Sequence, residues 1–169
     1  MLSLQTINSV LESHDALQVS EHFSLRELVH TNHSIINWPT DAGIVLSLEA
    51  LCLNILEKVR IRGPVHINSG YRSAALNAAI PGAAKKSQHM KGEAADFHIK
   101  SITNYDLARW IAHHLDFDQL ILENYVSGQP FSGWVHCSFR HAPARRHQVL
   151  TKFKGDKHYT PGLYKEKLW

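Results

Sequence analysis

The 169-residue chain is 44% hydrophobic and 20% charged, and 18 Lys+Arg against 15 Asp+Glu leave a formal net charge of +3. That size and balance suit one globular domain and exclude collagen, coiled-coil and disordered-tail classes; the charge is too even to argue for nucleic acid, a local basic patch aside. The 2 cysteines are too few for a disulfide scaffold or a four-cysteine zinc site, whereas the 13 histidines are in excess, so any metal must be held by His and carboxylate ligands.

Residues 1–20 read as a short helix with Leu4, Ile7, Val10 and Leu11 as its apolar positions. No basic stretch opens it, and Glu12, His14 and Asp15 interrupt the apolar run, so no cleavable signal peptide is expected and synthesis in the cytoplasm is. Apolar stretches fall well short of the roughly 20 residues that a membrane span needs, so no membrane partner is expected. Ser24 followed by Glu27 is a capping box opening a short helix, and Trp38-Pro39 marks a loop. Over 41–60, Ile44, Leu48, Leu51, Ile55 and Val59 recur at helical spacing, until Arg62-Gly63-Pro64 stops the helix. Val65 to Asn68 alternates as a strand, Ser69-Gly70-Tyr71-Arg72 turns out of it, and 73–80 is helical up to Pro81-Gly82. A polar, basic loop over 83–92 leads to a strand from Ala94 to Ile99. Thr103 caps a helix reaching about Leu115. Strands follow at Gln119–Glu123 and Trp134–Phe139, the two as antiparallel partners, with a last one at Gln148-Val149-Leu150. Helices first and short strands after, without βαβ alternation, predict an α+β fold with a mainly antiparallel sheet. One domain spans 1–169, with 1–21 as its N-terminal helical part and 141–169 as a basic C-terminal extension.

Two segments carry chemistry. In Ser87-Gln88-His89-Met90-Lys91-Gly92-Glu93-Ala94-Ala95-Asp96-Phe97, a loop histidine precedes an aspartate set between apolar neighbours. Burial of that carboxylate is costly unless it is paired or metal-bound. In Trp134-Val135-His136-Cys137-Ser138, His136 shares a strand face with Trp134 and Ser138. His89, Asp96 and His136 with one open position compose a catalytic zinc site. The plainer reading makes Asp96 a cap, His136 a satisfied sheet histidine and His89 a surface residue.

Ser87-x-His89-x-x-Gly92-x-Ala94-x-Asp96 resembles the zinc-binding signature of the zinc D-Ala-D-Ala carboxypeptidase family. That family includes vancomycin-resistance D,D-dipeptidases and phage endolysins, and it shares its fold with the Hedgehog signalling domain. Trp134-Val135-His136 resembles its second zinc histidine, and Ser69-Gly70-Tyr71-Arg72-Ser73 with Leu76-Asn77 resembles its substrate-arginine segment. Phe23 to Leu28, Asp118 to Ile121 with Glu123, and Arg145-Arg146 are similar to the short phage and prophage branch. The match runs in order over about 22–150.

The resemblance implies one Zn²⁺ per chain on His89, Asp96 and His136, with water in the fourth position, and a peptidoglycan peptide as substrate. Arg72 is then both a catalytic candidate and the clamp on a substrate carboxylate or carbonyl. Ser87, Gln88 and Trp134 are candidate substrate-positioning residues, and Tyr71 is a candidate cleft aromatic against a plain packing role. One departure matters: many members carry the catalytic acid three residues before the second zinc histidine, and here that residue is Gly133. Glu123, at the end of Leu120-Ile121-Leu122, is the preferred replacement, Asp118 the second choice on the opposite strand face, and Glu93 reads as solvent-facing. His98 is a candidate supporting residue or an ordinary strand histidine. Cys137 reads as a buried thiol. Three activities stay open: a wall peptidase cutting as carboxypeptidase or endopeptidase, with phage-type, holin-dependent release; a non-catalytic wall-binding or phage structural module, which the absent acid at Gly133 favours; and a cytosolic dipeptidase. The basic tail, with Arg140, Arg145, Arg146, Lys152, Lys154 and Lys157, is a candidate surface for anionic wall polymer. The sequence does not set an oligomeric state.

Overall fold

The structure, a computed structural model, describes residues 1–142 and 144–167; Pro143, Leu168 and Trp169 of the expected C-terminal extension lie outside the described residues. Helix α1 (Leu4–Ser13) is capped by Ser3, whose hydroxyl accepts from the Thr6 amide. Ile7 and Val10 are buried, while Leu4 faces outward. Helix α2 (Leu25–Leu28) starts at Ser24, whose Oγ accepts from the Glu27 amide. Helix α3 (Ala42–Leu51) continues through a π-helical turn (Cys52–Leu56) into α4 (Glu57–Arg60). The spacing over 41–60 predicts one uninterrupted α-helix; the π turn departs from it. Asn54 donates its side-chain amide to the Ala50 carbonyl at this point, a side-chain bond inside the backbone ladder of the kind that accompanies such bulges.

The sheet is built from β1 (Val65–Ser69), β2 (Ala94–Ile99), β3 (Gln119–Tyr125), β4 (Trp134–Ser138), β5 (Gln148–Phe153) and β6 (Thr160–Pro161). Helix α5 (Ala74–Ala79) follows β1, and α6 (Asn104–His114), capped by Thr103, follows β2. The strand order is β1-β2-β4-β3-β5-β6, and all neighbours are antiparallel except the parallel pair β3 and β5. The α+β class and mainly antiparallel sheet are therefore as the sequence predicts, including the β3–β4 partnership. The residues after 141 are less of an extension than expected: β5 is an interior strand of the sheet, so this region completes the fold.

Period-two alternation divides the sheet into two faces with different tasks. Ala95, Phe97, Ile99, Leu120, Val135 and Cys137 lie in one hydrophobic core with Leu48, Leu51, Ile55, Leu107 and Ile111 of the helices. Each buried apolar side chain of this size contributes about 1.5–3 kcal/mol through loss of water contact. The residues between them, Asp96 on β2, Gln119, Ile121 and Glu123 on β3, and Trp134 and His136 on β4, line a cleft on the opposite face. The apolar face thus fixes the register that aligns the polar one. Among the described residues, no helix is long and apolar enough to cross a membrane.

Candidate metal centre

Strand register brings the first two candidate ligands together: Asp96 on β2 stands opposite His136 on β4, and His136 stands opposite Ile121 on β3. The third comes from a short 3₁₀ turn, Gln88–Lys91, which Ser87 opens by accepting from the His89 amide. Gly92 closes that turn at φ +70°, where a Cβ would lie 2.5 Å from the Ile44 carbonyl oxygen. Only glycine both adopts this left-handed conformation readily and fits the close approach. The turn folds back against residues 69–72, with the Arg72 amide donating to the His89 carbonyl.

His89 Nδ1 lies 2.7 Å from the Gly70 carbonyl oxygen. An N–H there donates to that carbonyl, which leaves Nε2 as a lone-pair donor facing the cleft, the usual arrangement behind a metal-bound imidazole. His89 Nε2 is 3.2 Å from His136 Nδ1 and 3.3 Å from Asp96 Oδ1, and His136 Nδ1 is 2.8 Å from Asp96 Oδ1. All three residues are buried. A tetrahedral ion with bonds of about 2.0–2.1 Å separates its ligand atoms by roughly 3.3 Å. Two imidazoles and one carboxylate of this spacing therefore suit a divalent cation such as zinc. Burial alone pushes the Asp96 carboxyl up, but His89 and His136, when protonated and donating to it, outweigh burial and hold the group well below the usual carboxylate range.

Arg72 sits behind the candidate ligands. Its NH2 nitrogen donates to Asp96 Oδ2 at 2.6 Å and its Nε to Ser69 Oγ at 2.8 Å. A register irregularity in β1 between Ile67 and Ser69 sets Ser69 opposite Asp96, consistent with the use of bulges to aim side chains at sites. Arg72 thus holds a candidate metal ligand in place as well as lining the cleft.

The cleft has a volume of about 620 Å³, and Ser87, Gln88 and Trp134 line it. The Trp134 indole N–H is buried with no hydrogen-bond partner. Tyr71 does not line the cleft: its ring is buried in the hydrophobic core. Its backbone explains the correction, since the amide donates to Leu28 and the carbonyl accepts from Asn37 Nδ2, turning the residue inward. His98 is also away from the centre, with Nδ1 on Asn68 Oδ1 and its ring stacked on His66. Burial pushes the Cys137 thiol up, consistent with an inert buried group.

Glu123 lies on the cleft face opposite Trp134, two residue pairs along from the His136–Ile121 pair. Asp118 is occupied elsewhere. It is buried and accepts from Arg140 Nε at 2.8 Å, from the Arg146 amide at 3.0 Å and from the Arg146 guanidinium at 2.6 and 2.8 Å. Burial raises its carboxyl, yet these arginine contacts outweigh that and hold it down to about 2. Gln88 joins this group through Asp118, Arg146 and Glu93, so Glu93 is part of a network rather than free in solvent. Gly133 is at φ +66°, and a Cβ there would lie 2.1 Å from the Glu123 carbonyl oxygen. This hairpin geometry excludes an acidic side chain at the position where the resembled signature carries one.

Sequence reasoning passed over Lys152 and Tyr159 as cleft residues. Nothing local distinguishes them; only the parallel insertion of β5 beside β3 brings them to the site. The tail's cations are partly consumed internally: Arg145 pairs with Asp116, and Arg140 and Arg146 with Asp118.

The family model of peptidase M15 matches residues 21–138. The chain belongs to the peptidase M15 family. The resemblance carried by the His89–Asp96 and Trp134–His136 segments is thereby shown. The chain is also 53% identical over 45 residues to the peptidoglycan L,D-endopeptidase MepK of Escherichia coli K12, over 24% of this chain and 25% of that protein. MepK of Shigella flexneri matches to the same extent. The match spans about a quarter of the length of these curated relatives. Strands β5 and β6 lie beyond the residues matched by the family model.

Proposed function

We propose that this M15 family member is a zinc-dependent peptidase that hydrolyses a peptide bond in bacterial peptidoglycan, in stem peptides or their cross-links. The observation that carries the reading is the convergence of His89 Nε2, His136 Nδ1 and Asp96 Oδ1 within 3.3 Å of one another in a cleft that also holds Glu123. Zinc held by these atoms supplies the Lewis acidity that polarises a scissile carbonyl and makes water nucleophilic near neutral pH. Glu123 takes the proton of the attacking water and delivers it to the leaving amine nitrogen. Arg72 keeps Asp96 oriented, and its guanidinium N–H groups not used on Asp96 and Ser69 serve a substrate carboxylate or carbonyl. Trp134 borders the cleft beside Glu123 and packs against the bound peptide. Ser87 and Gln88 border the same cleft and position the peptide.

The L,D-endopeptidase activity of MepK favours an endopeptidase over a carboxypeptidase. Purified muropeptides incubated with the zinc-loaded protein and resolved by mass spectrometry test this. Cleavage within a cross-linked peptide is expected; release of terminal D-alanine alone would make the protein a carboxypeptidase. A protein that binds sacculi but releases nothing would be a non-catalytic wall module.

A further inference from the structure

On its β5 side, the cleft wall beside Glu123 is built by residues beyond the family-matched span. Tyr159 precedes β6, and the pairing of Thr160 with Thr151 on β5 anchors it. Its hydroxyl donates to Glu123 Oε1 at 3.1 Å. This is the sole hydrogen bond made by the Glu123 carboxylate among the described residues. The ring in turn carries the Lys152 ammonium, 4.5 Å from its centroid, a cation–π contact that fixes its plane. Lys152 is itself the β5 residue opposite Glu123 on β3. Glu123, Lys152 and Tyr159 therefore form a connected group along one side of the cleft, with one carboxylate oxygen held by a phenol.

A glutamate has three rotatable side-chain bonds, and proton transfer requires its oxygen within hydrogen-bond reach of the reacting atoms. We propose that Tyr159 is a positioning residue, which binds Glu123 Oε1 and so presents Oε2 to the water and leaving amine at the scissile bond. The proposal rests on the peptidase reading and deepens it by assigning a task to the C-terminal strands. Burial and the Glu123 charge push the Tyr159 phenol up to about 12, so it remains a hydrogen-bond donor at neutral pH.

The test compares zinc-loaded wild type, Tyr159→Phe, Glu123→Gln and the double variant on purified muropeptides. Tyr159→Phe keeps the ring and its Lys152 contact and removes only the hydroxyl. It is expected to lower kcat about tenfold, a loss of the order of one hydrogen bond, with KM within about twofold and an unchanged melting temperature. In the Glu123→Gln background the same substitution is expected to do nothing further, because its effect passes through the carboxylate. In protein labelled with ¹³Cζ-tyrosine, the Tyr159 resonance, assigned by its loss in Tyr159→Phe, should shift in Glu123→Gln. A Tyr159→Phe enzyme with wild-type kcat, an equal loss in both backgrounds, a change confined to KM, or an unmoved resonance would each overturn the proposal. Wild-type protein that cleaves nothing would overturn the peptidase reading first and this role with it, whereas an active wild type with an indifferent Tyr159→Phe overturns only this role.

Discussion

Asp96 and Asp118 are both buried, both paired with arginine and both held below the ordinary carboxylate range. Their surroundings differ in kind. Asp118 is encircled by donors: two guanidinium groups and a backbone amide satisfy its oxygens. Asp96 has one oxygen on Arg72, while the other faces two imidazole nitrogens. Around Asp118 the donors and acceptors balance, and the result is a clamp joining β3 to the Arg140–Arg146 segment. Around Asp96 lone pairs converge, an arrangement that a cation would complete. Burial and a lowered pKa do not separate a structural carboxylate from a metal ligand; the balance of donors and acceptors does.

Removing a ligand from the Asp96 side should have the largest effect. His89→Ala and His136→Ala are each expected to abolish zinc binding, read by metal analysis after remetallation, and to abolish cleavage. Zinc retained at one per chain in either variant would break the distinction between the two aspartates. Glu123→Gln is expected to keep full zinc content and to lower kcat by about 10²–10⁴-fold, the usual span for a lost general base.

On the clamp side the effect should be on stability. Asp118→Asn is expected to cost about 2 kcal/mol in denaturant unfolding, less than a fully enclosed ion pair because Arg140 and Arg146 are partly exposed. Zinc content should be unchanged. The sign with pH follows from the depressed carboxyl: folded at about 2 against roughly 3.9 when unfolded, it contributes fully above about pH 4. That contribution disappears as pH falls toward 2, so the variant should lose less stability than wild type over this window. The smallest expected effect is that of His98→Ala, which should leave zinc binding intact because His98 contacts Asn68 and His66 instead.

Local signals made much of this legible in advance. Ser24 and Thr103 mark their helix starts because a cap is a bond across two or three residues. The alternation in 94–99 and 134–138 identifies which residues face the cleft, because the side-chain period of a strand is fixed. What escaped depends on partners distant in sequence. The parallel addition of β5 to β3 has no local signature, so Lys152 and Tyr159 were invisible. The two arginines on Asp118 come from 22 and 28 residues away. Tyr71 was misplaced because nothing in Ser69-Gly70-Tyr71-Arg72 states which way the turn directs its ring. The histidine excess proved a weak guide: His113 and His114 bond carbonyls one turn back on α6, and His22 pairs with Glu57. Placement of His89 and His136, not abundance, carried the site.

The central claim is that the lone pairs gathered around Asp96 hold the ion on which peptide cleavage depends. The most direct measurement is release of peptide fragments from purified sacculi by one preparation of protein, assayed as zinc-loaded, after chelator dialysis, and after zinc is returned at one equivalent. Cleavage by the loaded protein, its loss on dialysis and its recovery at one zinc per chain are predicted. Cleavage that persists in metal-free protein, or its absence in the fully loaded one, would contradict the account.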